Sequence, residues 1–292
     1  VAEKTNKENE SKAPSRSSRI LREIKSIVII VLIALVVRST VIEAYQVPTG
    51  SMENTILVGD FILGNKFIYG VRTPDWFGIP FTHIGFHIPN YRTPPFKQPK
   101  QGDVIIFQYP LDDRVNYIKR MVAEPGQTVE VVNKVLYVDG KKFPNPPHAK
   151  FTSSHIRPPH WQEPNIFPPG MGNKDNYGPF HIPATGDTLW FSKDGPALIR
   201  YIASQDGHNF YNQAGDYYID GKVRDYYVVD QDYYFAMGDN RDNSWDSRYW
   251  GPVPFSNMLG EGMITYFSWN KNIPFYRLFD KIRWGRIGHL VN

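Results

Sequence analysis

The sequence predicts a mainly β protein, and three observations carry that expectation. The chain is 15% aromatic, with 18 Tyr, 18 Phe and 7 Trp, and 24 Pro and 23 Gly punctuate it. Aromatic residues suit a pleated, half-buried surface, and frequent turn formers keep the runs between them short. Val129 to Val138 reads as a strand pattern ending in Asp139-Gly140, and Tyr217 to Asp220-Gly221 leads into Val223 in the same way; both are hairpin signals. Apolar runs of strand length, Val104 to Phe107 and Thr188 to Phe191, each follow a Gly-Asp pair, at Gly102-Asp103 and Gly186-Asp187.

A chain of 292 residues, 41% hydrophobic, suits one large domain or two smaller ones and can bury a sizeable core. With no cysteine, disulfides, thiol catalysis and cysteine metal sites are excluded. The net charge of +4 is modest, and seven Lys or Arg fall within the first 25 residues. Basic charge concentrated there argues for a membrane-proximal tail; no basic and aromatic surface is interleaved as nucleic-acid binding would need.

Residues 1–19 are polar and read as a disordered tail. An unbroken run of eleven apolar residues, Ile27 to Val37, follows the basic stretch Arg19 to Lys25. Three readings compete. A cleaved secretory signal needs a small-x-small site after the core, and Val36 to Ala44 offers no convincing one. A buried core helix is disfavoured by a run without a polar face. The third reading, favoured here, is a single membrane span over 20–42, with Lys25 and Arg38 reaching opposite headgroup layers. Basic residues precede the span, so the N-terminus is expected inside and the rest outside.

Residues 55–69 read as strand, Gly-Asp turn, strand. Residues 70–99 form a long Pro-, Gly- and aromatic-rich connection. Between 141 and 185 lie ten prolines and four of the eight histidines, His148, His155, His160 and His181. That proline density opposes a regular element, so an excursion or inserted subdomain is expected. The histidines lack ligand spacing, and no metal is expected there.

Three blocks carry chemistry. In Val47-Pro-Thr-Gly-Ser51, Pro48 fixes its own φ and pushes Val47 to extended backbone, while Gly50 frees the next step. Such a turn can present the Ser51 hydroxyl and N–H to one point, as a serine nucleophile requires; an ordinary Pro-Gly-Ser turn is the plainer reading. In Asn116 to Val122, strand geometry puts Tyr117, Lys119 and Met121 on one face. Lys119 is either one of a solvated Lys-Arg pair or a neutral general base. The second reading needs its pKa to fall about 2.4 units, to near 8, which burial can supply. In Tyr233 to Gly251, Asp242, Ser244 and Asp246 alternate as in a calcium loop. Ser247 stands where that pattern needs Gly and Val253 where it needs Glu, so the EF-hand pattern fails. The alternative is a rigid polar loop in which Asp246 pairs with Arg248 and Ser244 holds the Lys119 amine toward Ser51.

These blocks, in this order after one span, resemble the bacterial type I signal peptidases, the Ser/Lys proteases that remove signal peptides. The matching stretches are Tyr45 to Tyr69, Pro99 to Pro110, Asn116 to Gln127 and Met237 to Pro254, with weaker echoes at Gly260 to Ile264 and Gly285 to Gly288. The resemblance implies Ser51 as nucleophile and Lys119 as general base. It implies Thr49 and the Ser51 N–H as oxyanion donors; the family often has Ser where Thr49 stands. Ser244, Asp246 and Arg248 would support the dyad, and Tyr45, Val47, Met52, Ile56, Tyr117 and Ile118 would line pockets for small residues. It implies an antiparallel β-sheet catalytic core, 43–140 with 232–292, an inserted second β domain at 141–231, and one preceding transmembrane helix. The implied function is membrane-anchored cleavage of secretory preproteins after small-x-small motifs, outside the bacterial inner membrane, without cofactor or metal. A Ser/Lys peptidase devoted to self-cleavage or one partner, and a binding module that has lost catalysis, are the rival readings.

Overall fold

A computed structural model describes residues 16–73, 76–78, 85–87 and 91–291. Most of the polar tail and part of the 70–99 connection lie outside the described residues.

The fold is mainly antiparallel β. One sheet of eight strands runs in the order Ile42–Gln46, Asp60–Asn65, Met258–Ser268, Val104–Tyr109, Asp112–Ala123, Tyr233–Met237, Val253–Pro254, with His289–Leu290 pairing beside Met258–Ser268. A second sheet of five strands runs Gly172–Asn173, Asn176–His181, Thr128–Val132, Val135–Val138, Lys141–Lys142. It takes in residues 128–142, so the hairpin before Asp139-Gly140 pairs away from the first sheet. A smaller sheet joins Thr188–Trp190 to Tyr226–Val228, and Phe210–Gln213, Asp216–Ile219 and Lys222–Val223 form a tyrosine-rich meander. Only short strands interrupt the proline-rich stretch of 143–185.

Tyr233–Met237 joins the two cores. All five of its residues are buried. Alternation sends Tyr233, Phe235 and Met237 into a core shared with the second sheet and the helix Pro196–Gln205. Tyr234 and Ala236 face the other way, against Ile105, Phe107, Met121 and Trp250. A strand apolar on both faces is what period-two geometry produces when cores lie on each side. Register shifts in Met258–Ser268, between Gly262 and Ile264 and again between Thr265 and Phe267, bend that long strand, as bulges do.

Residues 55–58 depart from the strand expected of them. They continue a tight turn in which the Ile56 N–H donates to the Met52 carbonyl at 2.8 Å, and the strand begins only at Asp60. Asn54 takes a left-handed φ of 80°, which breaks the extended path an apolar pattern alone suggests.

The helix Arg16–Thr40 is 25 residues long, and its described apolar side chains from Ile20 to Val37 are exposed. Arg22, Glu23, Lys25 and Arg38 interrupt it, and among the described residues no helix is long and apolar enough to cross a membrane.

Candidate active site

The turn bearing Ser51 is closed at its base by backbone bonds. Val47 N–H donates to the Asp60 carbonyl at 2.9 Å and Gly59 N–H to the Val47 carbonyl at 3.0 Å. The Asp60 carboxylate, fully buried, accepts from Leu57 N–H, Ser268 Oγ and Arg286 Nη2. Apolar anchoring comes from below: Tyr45, Val47, Met52 and Ile56 are buried together with Ile62, Val104 and Ile106.

Lys119 comes from the strand Asp112–Ala123. Its Nζ donates to Ser51 Oγ at 2.6 Å and lies 5.1 Å from the Tyr117 ring centroid. The residue is 3% exposed. Burial pulls its pKa down to about 8, against the opposing influence of the Asp246 and Asp239 carboxylates. A lysine desolvated to this degree is neutral over an accessible pH range and can accept a proton from the hydroxyl beside it.

Nine of the sequence-predicted residues meet around one cavity of about 300 Å³. Tyr45, Val47, Thr49, Ser51, Met52, Ile56, Tyr117, Ile118 and Lys119 all line it. Among the described residues, unpaired backbone flanks it on both sides. Ile42–Gln46 ends the sheet, and residues 116–118 pair with 106–108 on one side, while pairing with Tyr233–Met237 involves only Arg120, Met121 and Ala123.

Gly64 keeps Tyr45 in place over the sheet. A Cβ there would stand 2.6 Å from Ile106 Cδ1 and 2.8 Å from Tyr45 Cε2. Gly64→Ala is therefore expected to push the Tyr45 ring into the cavity, with a stability cost of about 1–3 kcal/mol. Steady-state kinetics should show KM rising several-fold with kcat nearly held; an unchanged KM would mean Tyr45 does not shape the cleft.

Ser244 is brought to the back of the serine turn. It is buried, its Oγ makes no hydrogen bond among the described residues, and the Lys119 amine donates to Ser51. The close approach runs through Gly238, where a Cβ would fall 2.2 Å from Ser244 Oγ and 2.5 Å from the Ser51 carbonyl oxygen. Only glycine lets these three segments meet. Asp246 and Arg248 pair as expected, through Nε to Oδ1 and Nη2 to Oδ2, both 2.8 Å. Asp246 also accepts from Gly238 N–H at 3.2 Å, and the Arg248 guanidinium holds its carboxyl below the usual carboxylate range despite full burial.

Sequence reading missed a second buried pair. Arg120 Nε and Nη2 donate to Asp239 Oδ1 and Oδ2 at 2.9 and 2.8 Å, and Thr55 Oγ1 donates to the same carboxylate at 2.6 Å. Asp239 thus ties the lysine strand to the serine turn. Its place inside the Gly238-Asp-Asn-Arg-Asp-Asn-Ser244 block was the available signal; its partners were not visible.

Comparisons with known proteins point to one family. Residues 20–269 match the family described as Signal peptidase, peptidase S26. A signal peptidase I of Pseudomonas aeruginosa is 34% identical over 248 residues, covering 80% of this chain and 68% of that one. That of Aquifex aeolicus is 31% identical over 244 residues, with 80% and 79% covered. A signal peptidase I of Buchnera aphidicola is 31% identical over 248 residues, with 81% and 72% covered. A solved signal peptidase I from Enterococcus faecalis aligns with TM-score 0.26 and 20% identity, over 56% of this chain and 97% of that one, too slight a likeness to bear on the fold. On the strength of the family match and these relatives, the chain belongs to the signal peptidase family, peptidase S26.

Proposed function

We propose that this protein is a membrane-anchored serine endopeptidase that removes N-terminal signal peptides from secreted preproteins. The observation that carries the reading is the 2.6 Å contact between a buried Lys119 amine and Ser51 Oγ at the edge of an apolar cavity. A substrate strand adds to the open backbone edges at 45–49 and 115–118, and its small side chains enter the hollow over Met52 and Ile56. Neutral Lys119 takes the Ser51 proton as Oγ bonds to the scissile carbonyl carbon. The resulting oxyanion is held by the Ser51 N–H and the Thr49 hydroxyl. The C–N bond then breaks as Lys119 returns the proton to the leaving amine, giving an acyl-enzyme and a free amino terminus. Water, deprotonated by Lys119, adds to the acyl carbon, and the acyl C–Oγ bond breaks as Lys119 returns that proton to Ser51. Asp246 and Arg248 support the loop behind the dyad, and Ser244 packs against the same turn.

The helix Arg16–Thr40 is the anchor in this reading. The run Ile27 to Val37 is apolar on every face, and its side chains are exposed among the described residues, so lipid is its natural solvent. Lys25 and Arg38 then mark the two headgroup layers, with the N-terminus inside and the catalytic core, 43–140 with 232–292, outside the inner membrane. The subdomain of 141–231 rides on that core, its sheet also drawing strands from 128–138.

A preprotein ending its leader in Ala-x-Ala tests the proposal. The purified protein in detergent is expected to cut it after the second Ala, and to cut a variant with Phe at that position at least ~100-fold more slowly, because a shallow pocket excludes bulk sterically. Equal cutting of both would reject the small-x-small specificity.

A further inference from the structure

Asn240 is 1% exposed and has no part in the proton transfer above. It grips the peptide units on both sides of Ser51. Its Nδ2 donates to the Gly50 carbonyl at 3.1 Å, and its backbone N–H donates to the Ser51 carbonyl at 3.0 Å. The amide orientation is set by its surroundings, since Glu53 Oε2 lies on the same side at 3.4 Å and both neighbours are acceptors.

The Gly50–Ser51 peptide is planar and trans, so its C=O and N–H point in opposite directions. Holding the Gly50 oxygen against the 238–240 loop therefore turns the Ser51 N–H away from that loop, and that N–H donates to no group among the described residues. Glu53 N–H also donates to the Gly50 oxygen, at 3.1 Å. That bond lies within the turn and moves with it; Asn240 is the contact that references the plane to the rest of the core.

Asn240 is itself held from behind by the proline-rich excursion. Lys150 N–H donates to the Asp239 carbonyl at 2.8 Å, and Arg241 N–H donates to the Lys150 carbonyl at 2.9 Å, one bond on each side of Asn240. The Lys150 ammonium reaches over to Glu53 Oε2 at 2.9 Å, and Asp242 accepts from the Thr152 and Ser153 N–H groups.

We infer that Asn240 is a positioning residue for the oxyanion site, aiming the Ser51 N–H, and that residues 150–153 of the excursion brace it. This rests on the reading of the Ser51 N–H as an oxyanion donor. The Ser51 N–H stabilises charge that develops only in the transition state, so turning it out of line falls on kcat and leaves ground-state binding alone.

The test uses the full chain in detergent with a signal-peptide substrate and a peptide aldehyde that forms a tetrahedral adduct on serine. Asn240→Ala, and Asn240→Asp, which sets an acceptor against the Gly50 oxygen, are expected to lower kcat about 10- to 100-fold. KM should stay within about two-fold and, for Asn240→Ala, the pH midpoint of the rate should not move, because Lys119 and its charged neighbours are untouched. Aldehyde affinity should fall by the same factor as kcat/KM. Lys150→Pro, which removes the N–H bonded to Asp239, should show the same signature more weakly, and with Asn240→Ser it serves as readout if the first variants do not fold. Wild-type kcat in a folded Asn240 variant, or a loss carried by KM, overturns the inference. Ser51→Ala is run alongside: substantial cutting by that variant would bring down the serine mechanism itself, whereas an inactive Ser51→Ala beside a fully active Asn240→Ala would bring down only the role of Asn240.

Discussion

Ser51→Ala and Lys119→Met are each expected to lower kcat by about 10³-fold or more, and Lys119→Met to stabilise the fold near neutral pH. The first loss follows from removing either end of a single 2.6 Å contact; neither the nucleophile nor its base has a substitute within the cavity. The gain in stability follows from the same burial that makes the base. Lys119 has its pKa lowered to about 8, against ~10.4 for an unfolded lysine. Below pH 8 both folded and unfolded states carry the proton, and the folded state bears the whole cost of the buried charge, about 3 kcal/mol. Between pH 8 and 10.4 the unfolded chain binds more protons than the folded one, so stability rises with pH and the cost disappears. Methionine removes the charge at similar volume and forfeits one hydrogen bond of about 1 kcal/mol. Urea denaturation should find Lys119→Met more stable than wild type by about 2 kcal/mol at pH 7, with the advantage gone by pH 10.5. Wild-type kcat/KM should rise with pH about a midpoint near 8, since the amine works only when neutral. A flat pH profile, or a stability difference that ignores pH, would mean Lys119 is not the buried base.

Local chemistry made part of this site legible. A Pro-Thr-Gly-Ser turn and a strand alternation around Lys119 are both properties of a few consecutive residues, and the mainly antiparallel β class follows from the aromatic content and the Asp-Gly turns. What stayed hidden depends on distant partners. Ile56, Leu57 and Val58 carry an apolar pattern that fits a strand; the turn forms because Thr55 bonds to Asp239, 184 positions away, and Ile56 is swallowed by the core beneath Ser51. That Ser244 Oγ would lie against Gly238 beside the Ser51 carbonyl was equally hidden, since side-chain direction within a loop is set by what packs against it. Proline density showed that residues 141–185 would lack long regular elements. It carried no sign that Lys150 would pair on either side of Asn240, since backbone pairing leaves no trace in side-chain pattern.

Asp239→Asn is expected to be the most damaging single change outside the dyad, and its damage has two separable parts. The carboxylate is fully buried and is the counter-charge of Arg120, itself 5% exposed, while accepting the Thr55 hydroxyl as well. Neutralising one side of a buried ion pair costs about 3–5 kcal/mol, because the other charge keeps its desolvation penalty. That is a large share of a typical domain's stability, so urea midpoints should fall steeply. The second part is electrostatic. Asp239 raises the Lys119 pKa against the downward pull of burial; without it the amine loses its proton more easily, and the pH midpoint of activity should move below 8 even as kcat drops with the loosened serine turn. Thr55→Val separates the two. It deletes one bond to the same carboxylate and leaves the charge in place, so it should cost about 1–2 kcal/mol and leave the pH midpoint where it was. Because Thr55 and Asp239 share that bond, the double variant should be less damaged than the sum of the singles. Should Asp239→Asn melt like wild type, or shift the pH midpoint upward, Asp239 would be neither the tie between the serine turn and the lysine strand nor a source of the field at Lys119.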